Sequence, residues 1–145
     1  MNRVTNPKVR HAIDNYLDEH LEQHERIGEL LARVHMNTSQ VRNLQQIVYT
    51  ATRFTTIINY VKNQIGKGQR DKQWATVVNN NDRVGDLVLQ QLDQLRHEGE
   101  RIAQEYDESP YAVALQLARG WVEQVATQFL YCRMQGVTSN ARSAR

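Results

Sequence analysis

The sequence has a single cysteine, Cys132, which excludes an intrachain disulfide and a multi-thiolate metal site. It has only two prolines, Pro7 and Pro110, and neither interrupts an apolar period. No stretch approaches the ~20 consecutive apolar residues that a membrane span requires. The opening Met1-Asn2-Arg3-Val4-Thr5-Asn6-Pro7 carries no apolar segment of a secretory signal. Aromatic residues make up 7% of the chain and the mean hydropathy is −0.67. These values limit the core, and part of the apolar surface is expected to find its partner on another subunit. Together the absences point to a protein of a reducing cytoplasm with no membrane association.

What remains is helical. At 145 residues the chain fits one domain. Asn6-Pro7 and Ser109-Pro110 each read as an N-cap followed by the first helical residue, where proline's missing N–H is no loss. The first helix is expected from Pro7 to His35, with Ile13, Leu17, Leu21, His24, Ile27, Leu31 and Val34 inward at steps of three and four. The second starts at a Thr38 or Ser39 cap and runs on Val41, Leu44, Val48, Ala51, Ile58, Val61 and Ile65, joined by Ile47, Phe54 and Ile57, to Gly66-Lys67-Gly68. There a glycine supplies the left-handed turn. Its β-branched residues, Thr50 to Ile58, lower helix propensity, and burial has to offset them.

Residues 69–81 form the irregular stretch, with a turn at Asn79-Asn80-Asn81-Asp82 and Trp74 to Val78 as a short helix or a docked loop. Asp82 caps a third helix to Tyr106, with Val84, Leu87, Val88, Leu92, Leu95 and Ile102 inward. The fourth, Pro110 to Gln135, buries Val113, Leu117, Trp121, Val125, Phe129 and Leu130 and closes at Gly136. Residues 1–136 then form the domain and 137–145 a flexible polar tail. No strand signal is present. The expected fold is all-α: a single antiparallel bundle of four helices, or five if the Trp74 segment is helical.

Charge is divided unevenly along the chain. From Met36 to Asn80, Arg42, Arg53, Lys62, Lys67, Arg70 and Lys72 stand against Asp71 alone, six cations to one acid. From His11 to His35, Asp14, Asp18, Glu19, Glu22, Glu25 and Glu29 stand against Arg26 and Arg33. On a continuous helix of ~40 Å the basic residues can track a nucleic-acid backbone, each neutralised phosphate adding salt-dependent affinity. Arg42 and Arg53, three helical turns apart, share one side of that helix. Asn43, Gln45, Gln46, Asn59 and Asn63 add neutral donors suited to phosphate and 2′-hydroxyl groups. The plain alternative is a solvated face, or pairing with the acidic first helix inside the bundle.

No pattern of catalysis emerges. His20 and His24 lie on one side of the first helix among carboxylates, but Leu21-Glu22-Gln23 between them breaks the zinc-protease spacing, and no Glu-x-x-His pair is present. They read as polar residues with His24 partly covered at the core edge, and no metal or other cofactor is expected. Cys132 has no base placed near it in sequence and reads as a structural thiol. Gly66-Lys67-Gly68 lacks the Gly-Lys-Ser/Thr ending of a phosphate loop. Trp74 is either a lid on the core or an anchor for a neighbouring subunit.

Thr38-Ser39-Gln40-Val41-Arg42-Asn43-Leu44 resembles the Thr-Ser-Gln/Lys-x-Arg-x-Leu helix start of the Csm-type small helical subunit of type III CRISPR interference complexes. Glu123-Gln124-Val125-Ala126-Thr127-Gln128-Phe129-Leu130-Tyr131 is similar to that family's closing helix. Chain length, helical pattern and motif order agree. The long acidic first helix, the Trp74 region, Gln128 and the lone Gly136 depart from the family pattern. The resemblance implies a subunit without catalytic residues, stacked beside copies of itself and other effector-complex subunits. It implies contact with the backbone of guide RNA and target nucleic acid, with Arg42 as the first contact. Arg53 follows from spacing, and Lys62, Lys67, Arg70 and Lys72 from the basic run. The alternative is a homo-oligomeric interaction scaffold whose acidic first helix meets the basic second helix of another copy, with no nucleic-acid role.

Overall fold

The computed structural model describes residues 4–67, 72–79 and 81–143, with 136–143 as backbone alone. Asn6 Oδ1 accepts the Lys8 N–H at 2.9 Å and passes the chain to Pro7, as the sequence leads one to expect. The chain is all-α apart from one small hairpin. Seven helices, not four or five, occupy the described residues, because both of the long helices expected early in the chain are broken.

The first break is at His20, between α1 (Pro7–Glu19) and α2 (Leu21–Arg33). His20 Nδ1 donates to the Tyr16 carbonyl at 2.8 Å, and its ring stacks on Tyr16 with centroids 3.9 Å apart. The Leu17 carbonyl is taken by the Gln124 side-chain amide at 3.1 Å. A helix end leaves carbonyls without partners, and these side chains provide them. The break also shifts the helical phase, which leaves Leu21 39% exposed instead of inward.

The second break falls between α3 (Thr38–Thr50) and α4 (Phe54–Gly66), where Ala51 and Arg53 are extended. Thr50 Oγ1 donates back to the Gln46 carbonyl at 2.8 Å. That local bond and the weak propensity of Thr50, Thr52, Thr55 and Thr56 favour the corner over a continuous helix. The buried set restarts as Phe54, Ile57 and Val61, with Ile58 and Ile65 at its edge. The α3 cap is Asn37 and not Thr38 or Ser39: its side chain accepts the Gln40 N–H at 2.9 Å while Gln40 Oε1 accepts the Asn37 N–H at 3.0 Å. At the far end of α4, Lys67 (φ −87°) is not left-handed, and Gly68 lies outside the described residues.

After α5 (Lys72–Ala75), β1 (Val77–Asn79) pairs antiparallel with β2 (Asp82–Arg83), where no strand was expected. The asparagine turn is at its expected position, with Asn81 at φ 76°, a region asparagine tolerates. Its flanks pair because Val77 and Val78 are β-branched. Asp82 is therefore a strand residue, and α6 (Val84–Tyr106) starts after Arg83 without a side-chain cap. α7 (Pro110–Ser143) continues through Gly136.

α7 is the element the others surround. It buries Ala112 to Leu115, Leu117, Ala118, Trp121, Val122, Val125, Ala126 and Phe129, as a helix packed on several sides does. Leu17 meets Gly120, His24 meets Gln124 and Glu29 meets Gln128, so α1–α2 runs parallel to α7. Gly99 meets Ala114 and Gln91 meets Trp121, so α6 runs antiparallel to it. The backbones nearly touch at Gly28, where a Cβ would lie 2.5 Å from the Val125 carbonyl oxygen. Leu130, one residue past Phe129 and ~100° round the helix, is 47% exposed instead of inward. Among the described residues no helix is long and apolar enough to cross a membrane.

Candidate nucleic-acid interface

α3 and α4 leave one end of the molecule and return to it. Thr38, at the start of α3, accepts a hydrogen bond from Arg133 on α7, and Ile65, late in α4, packs where Gly85 opens α6. Between the two arms lies a cleft of about 500 Å³, lined by Asn37, Ser39, Gln40, Asn43, Gln46, Ile47, Thr50, Tyr60 and Gln64. On α3 the polar lining recurs at steps of three and four, opposite the buried Val41, Leu44 and Val48. Two lining residues are tied to α5: Gln40 donates to Gln73 at 3.5 Å, and Tyr60 packs edge to face with buried Trp74, centroids 6.5 Å apart at 88°. Trp74 is thus part of the core, and its indole N–H has no hydrogen-bond partner among the described residues.

No acidic residue falls between Glu29 and Asp71, so both arms of the cleft are free of carboxylates. Arg42 is exposed on α3 beside Ser39 and Gln46, three residues after one and four before the other. Arg53 and Lys67 are exposed at the two ends of α4, as the residues that flank its first and last turns. The corner at Ala51–Arg53 puts Arg42 on α3 and Arg53 at the start of α4, so they do not share the face of one rod, and neither is among the residues lining the cleft. Lys62 is exposed on the opposite flank of α4, ~200° round from Tyr60. Lys72 is exposed at the first residue of α5, and Arg70 lies outside the described residues.

Among the described residues none of Arg42, Arg53, Lys62 and Lys67 is in an ion pair; the pairs formed lie on α6 and at its start, such as Arg83–Asp86 and Arg96–Asp93. The acidic α1–α2 therefore does not neutralise α3–α4 within the chain. Sequence reasoning found Asn43 and Gln46 but missed Gln40, Gln64 and Tyr60. The polar spacing on α3 was visible; the fold of α4 back beside it was not.

The two histidines are accounted for by structure. His24 is 2% exposed, more buried than expected, and its Nδ1 is 2.7 Å from Gln124 Oε1. Burial lowers its pKa, against the Gln124 hydrogen bond and with a smaller contribution from His20. Among the described residues no group of three or more His, Cys, Asp and Glu is placed to hold a metal ion. Cys132 is half-buried, with its Sγ 3.5 Å from the Gln128 amide. No family model, curated protein or solved structure matches the chain.

Proposed function

We propose that the protein is a non-catalytic, cytoplasmic RNA-binding subunit of a ribonucleoprotein effector complex of the type III CRISPR kind, contacting RNA through α3 and α4 without sequence specificity. The observation that carries this reading is the acid-free α3–α4 surface, where Arg42, Arg53 and Lys67 are exposed, form no ion pair among the described residues, and lie on or at the ends of the two helices that line a neutral hydrogen-bonding cleft. Unpaired cations release counterions when they meet phosphates, whereas paired ones must first break a bond. Among the described residues the cleft lining holds no carboxylate, histidine or cysteine to transfer a proton or attack a bond. The resemblance of residues 38–44 to the family's helix start supports the same role for Arg42.

A scaffold reading draws on a different observation. Leu130, Tyr131 and Met134 are 47%, 57% and 65% exposed near the end of α7, and exposed Asp14, Asp18, Glu19 and Glu22 offer a neighbouring copy's α3–α4 a charge partner. Co-purification of the tagged protein from its native host separates the two. Short uniform RNAs recovered with larger partner proteins are the expected result. A nucleic-acid-free homo-oligomer would overturn the RNA reading and leave the scaffold.

A further inference from the structure

We infer that the α3–α4 cleft is a nucleobase site: it takes an unstacked base of single-stranded RNA beside Tyr60, hydrogen-bonded by Asn43, Gln46 and Gln64, while the rim cations hold the flanking phosphates. The inference rests on the RNA-binding reading above and adds what the cleft itself binds.

The interior chemistry is wrong for a phosphate and right for a base. A phosphate drawn into a recess loses hydration and needs a cation to replace it. Among the described residues the lining has none: its groups are amides, hydroxyls, Ile47 and the Tyr60 ring. A base is neutral, flat and edged with both donors and acceptors, and each Asn or Gln amide offers both kinds. The side-chain amides of Asn43, Gln46 and Gln64 bond to no other described residue, so they are available to a ligand. Gln40, by contrast, is already committed to Asn37 and Gln73.

Shape points the same way. A cleft of about 500 Å³ is of the size that holds small ligands, and it is too confined for a duplex. Tyr60 is the aromatic residue in the lining, and its contact with buried Trp74 fixes the ring before any ligand arrives. Aromatic rings that meet unstacked bases are the recurrent device of single-strand recognition. The cations stand outside the lining, at the start of α4, at its end and along the outer side of α3, where a backbone passing over the cleft would meet them.

The test compares three probes on the full chain at one salt concentration: a short oligouridylate, a ribose-phosphate chain of the same length without bases, and a blunt RNA duplex. Oligouridylate is expected to bind about tenfold more tightly than the abasic chain, the discrimination one base contact supplies. Gln46→Ala with Gln64→Ala, two amides the fold does not use, should remove most of that difference and leave the salt dependence unchanged. Tyr60→Phe, which keeps the ring, should preserve it. Equal affinity for oligouridylate and the abasic chain, or discrimination indifferent to the double variant, overturns the nucleobase site while Arg42-dependent binding still supports the RNA reading. Tighter binding of the duplex than of oligouridylate also overturns it. Failure to bind any of the three overturns both.

Discussion

His24 and Gln124 are hydrogen-bonded at 2.7 Å across the contact between α2 and α7, and the same glutamine gives its amide to the Leu17 carbonyl at 3.1 Å. One side chain therefore closes the break between α1 and α2 from outside both helices. Because Gln124 Nε2 must donate to a carbonyl, its oxygen faces the imidazole, and His24 carries its proton on Nδ1. Gln91 makes a comparable bridge, accepting from the Trp121 indole at 2.8 Å and donating to the Gln23 carbonyl at 2.9 Å.

Gln124→Ala leaves the His24 Nδ1–H and the Leu17 carbonyl without partners, and we expect a loss of about 1–3 kcal/mol in chemical denaturation. Gln116→Ala, on the same helix but half-exposed and outside both bridges, should cost much less.

Burial holds the His24 pKa below that of a free imidazole, so the unfolded chain takes up its proton first as pH falls. The stability tied to neutral His24 is fully present above pH ~6.5 and is lost as pH drops from there through the lower folded value. Denaturation midpoints measured on either side of that window should fall on acidification. In His24→Leu this part of the pH dependence should vanish, whatever the variant's stability at neutral pH.

At Gly28 a methyl group would meet the Val125 carbonyl oxygen at 2.5 Å and the Phe129 nitrogen at 2.9 Å, both backbone atoms that cannot turn aside. Gly28→Ala is expected to destabilise by about 1–3 kcal/mol through overpacking, against the usual gain from replacing glycine in a helix. Gly66→Ala, with nothing within 4 Å of the added carbon, is the control and should be neutral or stabilising.

Trp74 presents the reverse case. It is fully buried, yet its indole N–H bonds to nothing in the described chain. Trp74→Phe forfeits no hydrogen bond and should cost far less than Trp74→Ala, for which about 3–5 kcal/mol is expected. Thermal denaturation of the two variants compares them directly.

The sequence was most legible where one periodic pattern ran unbroken between two good signals. Val84 to Tyr106 and the start at Ser109-Pro110 were placed within a residue or two, and Trp121 and Phe129 proved to be core. It was least legible at His20 and Ala51–Arg53, where no proline or glycine marks the break. The break at His20 is bridged by Gln124, which bonds to His24 and to the Leu17 carbonyl from a distant part of the chain that a local window does not contain. At the second corner the threonines are visibly poor helix formers, but the apolar period running past them suggests burial enough to override that weakness. The corner turns a basic rod into a cleft with a basic rim. It keeps Arg42 and Arg53 as candidates and changes the reason for them. Arg133, which bonds to Thr38 from α7, could not be linked to α3 by any sequence pattern.

The most direct test of the α3–α4 interface is the salt dependence of affinity for one short RNA, measured on the wild type, Arg42→Ala/Arg53→Ala and Lys62→Ala. These exposed residues can be replaced without loss of an ion pair among the described residues. Removing a cation that neutralises a phosphate should weaken binding and lower the slope of log K against log salt by ~1. A slope reduced by ~2 in the double variant and little changed in Lys62→Ala, on the far flank of α4, is the expected result. Equal slopes in all three proteins would contradict an RNA interface on the rim of this cleft.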